Sequence, residues 1–188
     1  MAKVKLNPIV EQVRGQVGQL VFRQSYGQQV VGRKADPSDH ESTPGQIAAR
    51  DRFREAALYG RVALANPATK KLYADAADKK GKPVFSMVMA DFLNAPSIDE
   101  IDVSEYTGAQ ASLITIRTED DFMIDRVTVD ISDVNGAQLE NGDAALNPNG
   151  RWVYAATSTI PAGTDVRITV TATDRPGSAT VRDTNKSL

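Results

Sequence analysis

The stretch RGQVGQLVFRQSYGQQVVGRK, residues 14–34, constrains the fold most, because it reads as a β-hairpin placed far ahead of any other strand signal. Gln19 to Gln24 and Gln28 to Lys34 are β-rich runs, and Ser25-Tyr26-Gly27 supplies the turn between them. Gly15-Gln16-Val17-Gly18 is too sparse to cradle a phosphate and fits a bend entering the hairpin. A lone two-stranded hairpin is marginal in water, so this one needs further strands. The β-rich segment from residue 104 onward is the candidate partner, and the expectation is that the pairing runs between copies of the chain rather than within one.

Charge supports that direction. Residues 1–94 carry 15 Lys and Arg against 9 Asp and Glu, a net +6, whereas residues 95–188 carry 7 against 15, a net −8. Opposite halves steer head-to-tail encounter, supplying specificity and rate more than affinity. The arm at residues 1–13 adds Leu6, Ile9 and Val10, which need burial, while Pro8 stops a long helix. The expected assembly interface is therefore Leu6, Ile9, Val10, Leu20, Phe22, Arg23, Tyr26, Val30, Val31, Arg33 and Lys34.

After a polar loop at residues 35–41, which holds the sole histidine, His40, the apolar period changes to that of helices. Thr43, Pro44 and Gln46 form a capping-box start, followed by Ile47, Phe53, Ala56, Ala57, Gly60, Ala63 and Leu64 on one face. Asn66-Pro67 repeats the cap-and-proline signal for a second helix ending near Lys79-Lys80-Gly81. Pro83 opens a third, with Phe85, Val88, Met89 and Phe92 at helical spacing.

Asn94-Ala95-Pro96-Ser97 closes the helical region and the period becomes two. Strands are expected at 111–117, 124–132, 151–157, 165–173 and 178–182, with turns at Asn135-Gly136, Asn141-Gly142-Asp143, Asn149-Gly150 and Pro161-Ala162-Gly163. Val127, Val129 and Ile131 alternate with Arg126, Thr128 and Asp130, and Trp152 is the candidate core tryptophan. The chain thus reads as α+β: an arm and hairpin at 1–34, a three-helix region at 35–94, a linker at 95–103 and an immunoglobulin-like or fibronectin-like β-sandwich at 104–188.

The chemistry-bearing motifs are sparse. Without cysteine there is no disulfide or thiolate site, and one histidine with scattered acids assembles neither a nucleophile with its base nor a paired-carboxylate site. No P-loop, G-x-S-x-G, G-x-G-x-x-G or H-E-x-x-H pattern occurs. The Glu119-Asp120-Asp121 cluster lacks a calcium-loop pattern and reads as solvated turn carboxylates. Arg50, Arg52, Arg54 and Arg61 are interleaved with Asp51 and Glu55, which argues against a specific nucleic-acid surface. No apolar run is long enough for a membrane span, and the basic N-terminus lacks the apolar stretch of a secretory signal. No enzyme activity and no cofactor or metal is expected.

The order G-Q-V-G-Q-L-V-F-R at 15–23, V-V-G-R-K at 30–34 and T-P-G-Q-I-A-A-R-D-R-F-R-E-A-A at 43–57 resembles the N-terminal region of uncharacterised proteins encoded in bacterial genomes and phages. The resemblance covers residues 6–93 and rests on a β-arm followed by a T-x-x-Q-x-x-x-R-x-x-F helix. It implies a role in a phage or other particle, and no reaction. The tail from 104 looks like a generic immunoglobulin-like module. The expected function is a self-assembling structural subunit of an extracellular filament or phage-like particle, whose partners are copies of itself and other particle proteins. It would reside in a virion or extracellular assembly, with the cytoplasm as the other option. The alternative is a surface- or glycan-binding adhesion module carried on a larger assembly.

Overall fold

The computed structural model describes residues 2–3, 13–25, 28–34 and 41–188, which fall into two compact units, 1–43 and 44–188. The first is a four-stranded antiparallel sheet of β1 (Ala2–Lys3), β2 (Gly15–Val17), β3 (Leu20–Ser25) and β4 (Gln28–Arg33), in the order β1-β4-β3-β2. The hairpin strands β3 and β4 lie where alternation places them. Gly15 to Val17, expected as a bend, is instead a strand whose Val17 pairs with Leu20 across Gly18 and Gln19. Gly18 has φ +58°, a left-handed backbone that glycine adopts without a Cβ penalty and that lets the chain reverse there. Within the chain the hairpin's two open sides are taken by β1, next to β4, and β2, next to β3.

In the second unit, α1 (Pro44–Ala65), α2 (Pro67–Lys80) and α3 (Val84–Leu93) begin and end at the expected punctuation. The Asn66 side chain accepts from the Ala68 and Thr69 amides at 2.9 and 3.2 Å, and Gly81 closes α2 in the left-handed conformation. The apolar face of α1 is only half used: Ala56, Gly60 and Ala63 are buried, whereas Ile47 and Phe53 are exposed. The reason is length. At 1.5 Å per residue α1 spans about 33 Å, more than the roughly 21 Å of α2 or 15 Å of α3, so its N-terminal half outruns them. Gly60 lets the Phe85 ring of α3 approach closely, 3.0 Å from where a Cβ would sit.

The sandwich consists of two four-stranded sheets. One is formed by β5 (Ser97–Asp102), β6 (Leu113–Glu119), β10 (Trp152–Ala155) and β9 (Ala145–Leu146), the other by β12 (Ala179–Ser187), β11 (Asp165–Asp174), β7 (Ile124–Asp133) and β8 (Gln138–Asp143). The orders β5-β6-β10-β9 and β12-β11-β7-β8 are the A-B-E-D and G-F-C-C′ pattern of an immunoglobulin-type sandwich. The inward stripe is the expected one: Val127, Val129 and Ile131 are fully buried beside Val166, Ile168, Val170 and Ala172, facing Ile114 and Ile116. Each Val or Ile among them contributes about 1.5–3 kcal/mol of transfer free energy. Trp152 is half-buried at the margin of this cluster, and Tyr154 and Tyr106 are the large rings inside it.

Two expectations fail for one reason, that sheet pairing overrides local composition. The segment 95–103, read as a linker, contains β5, whose Ile98 is buried and which pairs with β6 through a bulge between Ile98 and Glu100. Asn141-Gly142-Asp143, read as a turn, lies within β8, with Gly142 opposite Val129. Gly142 serves as space rather than as a turn: a Cβ there would meet the Tyr154 ring at 2.9 Å. That ring is held by a 2.6 Å hydrogen bond from its hydroxyl to Glu140, so it has little room to yield. Replacing Gly142 with Ala is expected to destabilise the chain by about 1–3 kcal/mol through overpacking, read as a lowered urea midpoint at unchanged slope.

Candidate assembly surface

The register of the N-terminal sheet sorts the expected interface residues by face. Phe22 is directly opposite Val31 and Gly15, and Leu20 is opposite Arg33 and Val17, so Val17, Leu20, Phe22 and Val31 share one side, with Arg33 at its end. Arg23 and Val30 are opposite one another on the other side. The structure therefore brings Leu20, Phe22, Val31 and Arg33 together and separates Arg23 and Val30 from them. Leu6, Ile9, Val10 and Tyr26, with the expected turn at Tyr26-Gly27 and the lone His40, lie outside the described residues. Lys34 follows β4, where its amide donates to the Gln19 carbonyl at 2.7 Å.

The shared side is apolar and is exposed at its Val17 and Leu20 end. Phe22 and Val31 are half-buried, but Leu20 is 47% and Val17 67% exposed. Val17 was not among the expected interface residues; it is out of step with the alternation of Leu20 and Phe22, and only the turn at Gly18–Gln19 brings it to their side. Beyond the apolar group, Gln24 pairs in register with Gln29, whose side-chain amide is buried with no hydrogen-bond partner on either atom. Arg14 donates to the Gln24 side chain at 2.8 Å. The face is therefore an apolar patch with basic residues at its margins.

The second unit gathers polar groups at two buried places. Glu140 on β8 is almost fully buried and accepts four hydrogen bonds: from the Tyr154 hydroxyl at 2.6 Å, the Thr157 hydroxyl at 2.9 Å, the Thr157 amide and the Ser158 amide at 3.3 Å. Burial alone raises a carboxyl pKa, but here the bonds from Thr157, Tyr154 and Ser158 outweigh it and hold Glu140 below the usual range. The second place is where the helices meet the sandwich. The Phe122 ring, from the loop between β6 and β7, stacks on Tyr73 of α2 at 4.1 Å, and the Tyr73 hydroxyl donates to the fully buried Asp91 of α3. The acids of 119–121, expected to be solvated, are partly drawn into this joint: Asn94 donates to the Asp121 carboxylate at 2.5 Å, Lys80 donates to the Asp121 carbonyl, and Asp120 caps the Phe122 amide at 3.1 Å. Sequence reasoning missed Asp91, although it is the only charged residue in the helix VFSMVMADFL, a signal that was present.

Among the described residues no group of three or more His, Asp or Glu side chains is placed to hold a metal ion. No helix among them is long and apolar enough to cross a membrane. Two open hollows on the sandwich, of about 330 and 270 Å³, are lined by polar and aliphatic residues such as Asp165, Arg167 and Lys186 or Arg126, Asp130 and Asp143, with no aromatic ring. The rings of the sandwich are turned inward: Tyr106 and Tyr154 into the core, Trp152 against it and Phe122 onto Tyr73.

No family model matches the chain, and no curated protein matches it. Two solved structures show a partial likeness. An engineered protein solved by a structural genomics consortium is 20% identical with a TM-score of 0.34, the match covering 49% of this chain and 18% of that one. A bromine derivative of the carbohydrate-binding module BhCBM56 is 19% identical with a TM-score of 0.32, covering 50% of this chain and 92% of that one. The chain spans less than a fifth of the length of the first of these and nearly all of the second.

The Glu140 anchor has a direct consequence for stability. Because its folded pKa is depressed, it stabilises above the ordinary carboxylate pKa and loses that contribution as pH falls through the depressed value. Glu140→Gln is expected to cost about 1–3 kcal/mol at neutral pH. The gap to the parent chain should narrow below about pH 4 in urea titrations at stepped pH.

Proposed function

We propose that the chain is a self-assembling structural subunit, of an extracellular filament or a phage-like particle, joined to other copies through its N-terminal sheet. The observation that carries this reading is the open apolar side of that sheet, Val17 and Leu20 with Phe22 and Val31, in a unit with its own strand pairing. Hydrophobic area left in water on a small sheet is a standing free-energy gain for any partner that covers it. A second copy fits electrostatically, since the half of the chain that holds this sheet is net positive and the other half net negative. The contact is made face to face and with the arm. Exchange of the hairpin strands themselves is disfavoured, because their hydrogen-bonding edges are already occupied and the outermost strands have only two and three residues.

Other particle proteins are the further partners under this proposal, and a virion or extracellular assembly is its setting. The alternative of a surface- or glycan-binding module would have to work through polar loops, since the rings of the sandwich are directed inward.

Light scattering on the full chain tests the proposal. The parent protein is expected to form oligomers or polymers. Val17→Asp with Leu20→Asp, both at exposed positions, should keep the circular dichroism unchanged while raising the concentration needed for assembly at least tenfold, about 1.4 kcal/mol. A parent chain that stays monomeric at high concentration, or a double variant that assembles equally well, overturns it.

A further inference from the structure

The joint between the helices and the sandwich places ionisable groups from four segments around one buried carboxyl. Asp91 on α3 has no exposed surface; its Oδ2 accepts from the Tyr73 hydroxyl of α2, and its Oδ1 has no partner. The Tyr73 hydroxyl is in turn 3.2 Å from the Tyr59 hydroxyl of α1. Asp120, from the loop after β6, and Asp174, at the end of β11, face the same region, and each leaves one buried oxygen unpaired, Asp120 Oδ1 and Asp174 Oδ2. Their other oxygens are committed: Asp120 Oδ2 to the Phe122 amide at 3.1 Å, Asp174 Oδ1 to the Gly177 and Ser178 amides at 2.8 and 2.6 Å. One cation, Arg175, approaches, and its guanidinium also reaches the Thr69 hydroxyl of α2 at 3.5 Å.

Two buried carboxyls, Asp91 and Asp174, with half-buried Asp120 beside them and one exposed guanidinium, cannot all carry charge cheaply. Asp120 and Asp174 each keep an oxygen on backbone amides, whereas Asp91 has only the Tyr73 hydroxyl as donor and is the most deeply buried of the three; burial pushes the Asp174 carboxyl up as well. We propose that this joint is a proton-operated latch: a proton on Asp91 closes α1 to α3 onto the sandwich, and its loss in mildly alkaline solution loosens them. Burial, opposed by the Tyr73 hydrogen bond and reinforced by the Asp120 and Asp174 charges, pushes the Asp91 pKa up to about 7. A raised carboxyl pKa stabilises fully below its unfolded value near 3.8, and the stabilisation is lost as pH climbs through 7. The latch is independent of the assembly proposed above, because none of its groups lies in the N-terminal sheet.

Hydrogen exchange on the full chain, corrected for intrinsic pH dependence, reads the latch directly. Between pH 6 and 8.5 the amides of 44–93 are expected to exchange about tenfold faster, while those of the β7 and β11 core change less. Asp91→Asn should abolish the pH dependence, and Asp120→Asn, which removes a like charge, should move the midpoint to lower pH. Carbon NMR of the Asp91 carboxyl in the parent chain should titrate near neutrality, and this reading does not depend on any variant folding. A midpoint below about pH 5, a flat exchange profile, or an unchanged profile in a folded Asp91→Asn each overturns the latch. So does restored protection at pH 8.5 on adding calcium or magnesium, which would make the joint a cation site instead.

Discussion

The apolar seam between the two sheets of the sandwich is the interaction on which the rest of the second unit depends. Val127, Val129 and Ile131 on β7 and Val166, Ile168, Val170 and Ala172 on β11 face Ile114 and Ile116 with no exposed surface to speak of. This slab fixes where the loops emerge. From it the β6–β7 loop holds Phe122 against Tyr73, and the end of β11 holds Asp174 and Arg175 at the same joint. The helical cluster is small, built on Ala63, Tyr73, Ala77, Met87 and Val88, and Phe122 is the sandwich residue packed into it. The helices are thus completed by a ring from the sandwich.

Polar burial follows the same logic at two levels of completeness. Glu140 is surrounded by donors and stays ionised, tying the chain after β10 to β8 and holding the Tyr154 ring that Gly142 must accommodate. Asp91 has one donor and two acidic neighbours, so its charge is opposed rather than satisfied. The contrast between a four-donor carboxylate and a one-donor carboxyl is what makes the first a fixed anchor and the second responsive to pH.

The N-terminal sheet is organised differently. It is a four-stranded antiparallel layer of short strands, and Val17 and Leu20 on its apolar side remain well exposed. The proposed role in assembly draws on that open side, on the two- and three-residue outer strands that cannot template long pairing, and on the charge difference between the halves of the chain.

The class of fold, the three helices with their proline and glycine punctuation, and the inward stripe of β7 were legible in the sequence, because each depends on groups a few residues apart: a cap on its own amides, a proline on its own φ, an alternation on its own pleat. The hairpin was legible too, as was the apolar pattern of Leu20 and Phe22. Only the tertiary structure decided what depended on distant partners. Asn141-Gly142 has turn composition, yet it runs as strand because β7 offers it hydrogen bonds and Tyr154 needs the missing Cβ. Residues 97–102 have too many acids to read as a strand alone, yet β6 pairs with them. Ile47 and Phe53 have helical spacing for burial, yet α2 and α3 are too short to reach them. The hairpin was recognised but its partners were not: β1 and β2 closed a sheet that local pattern had left open, because pairing is settled by which backbone edges meet in space.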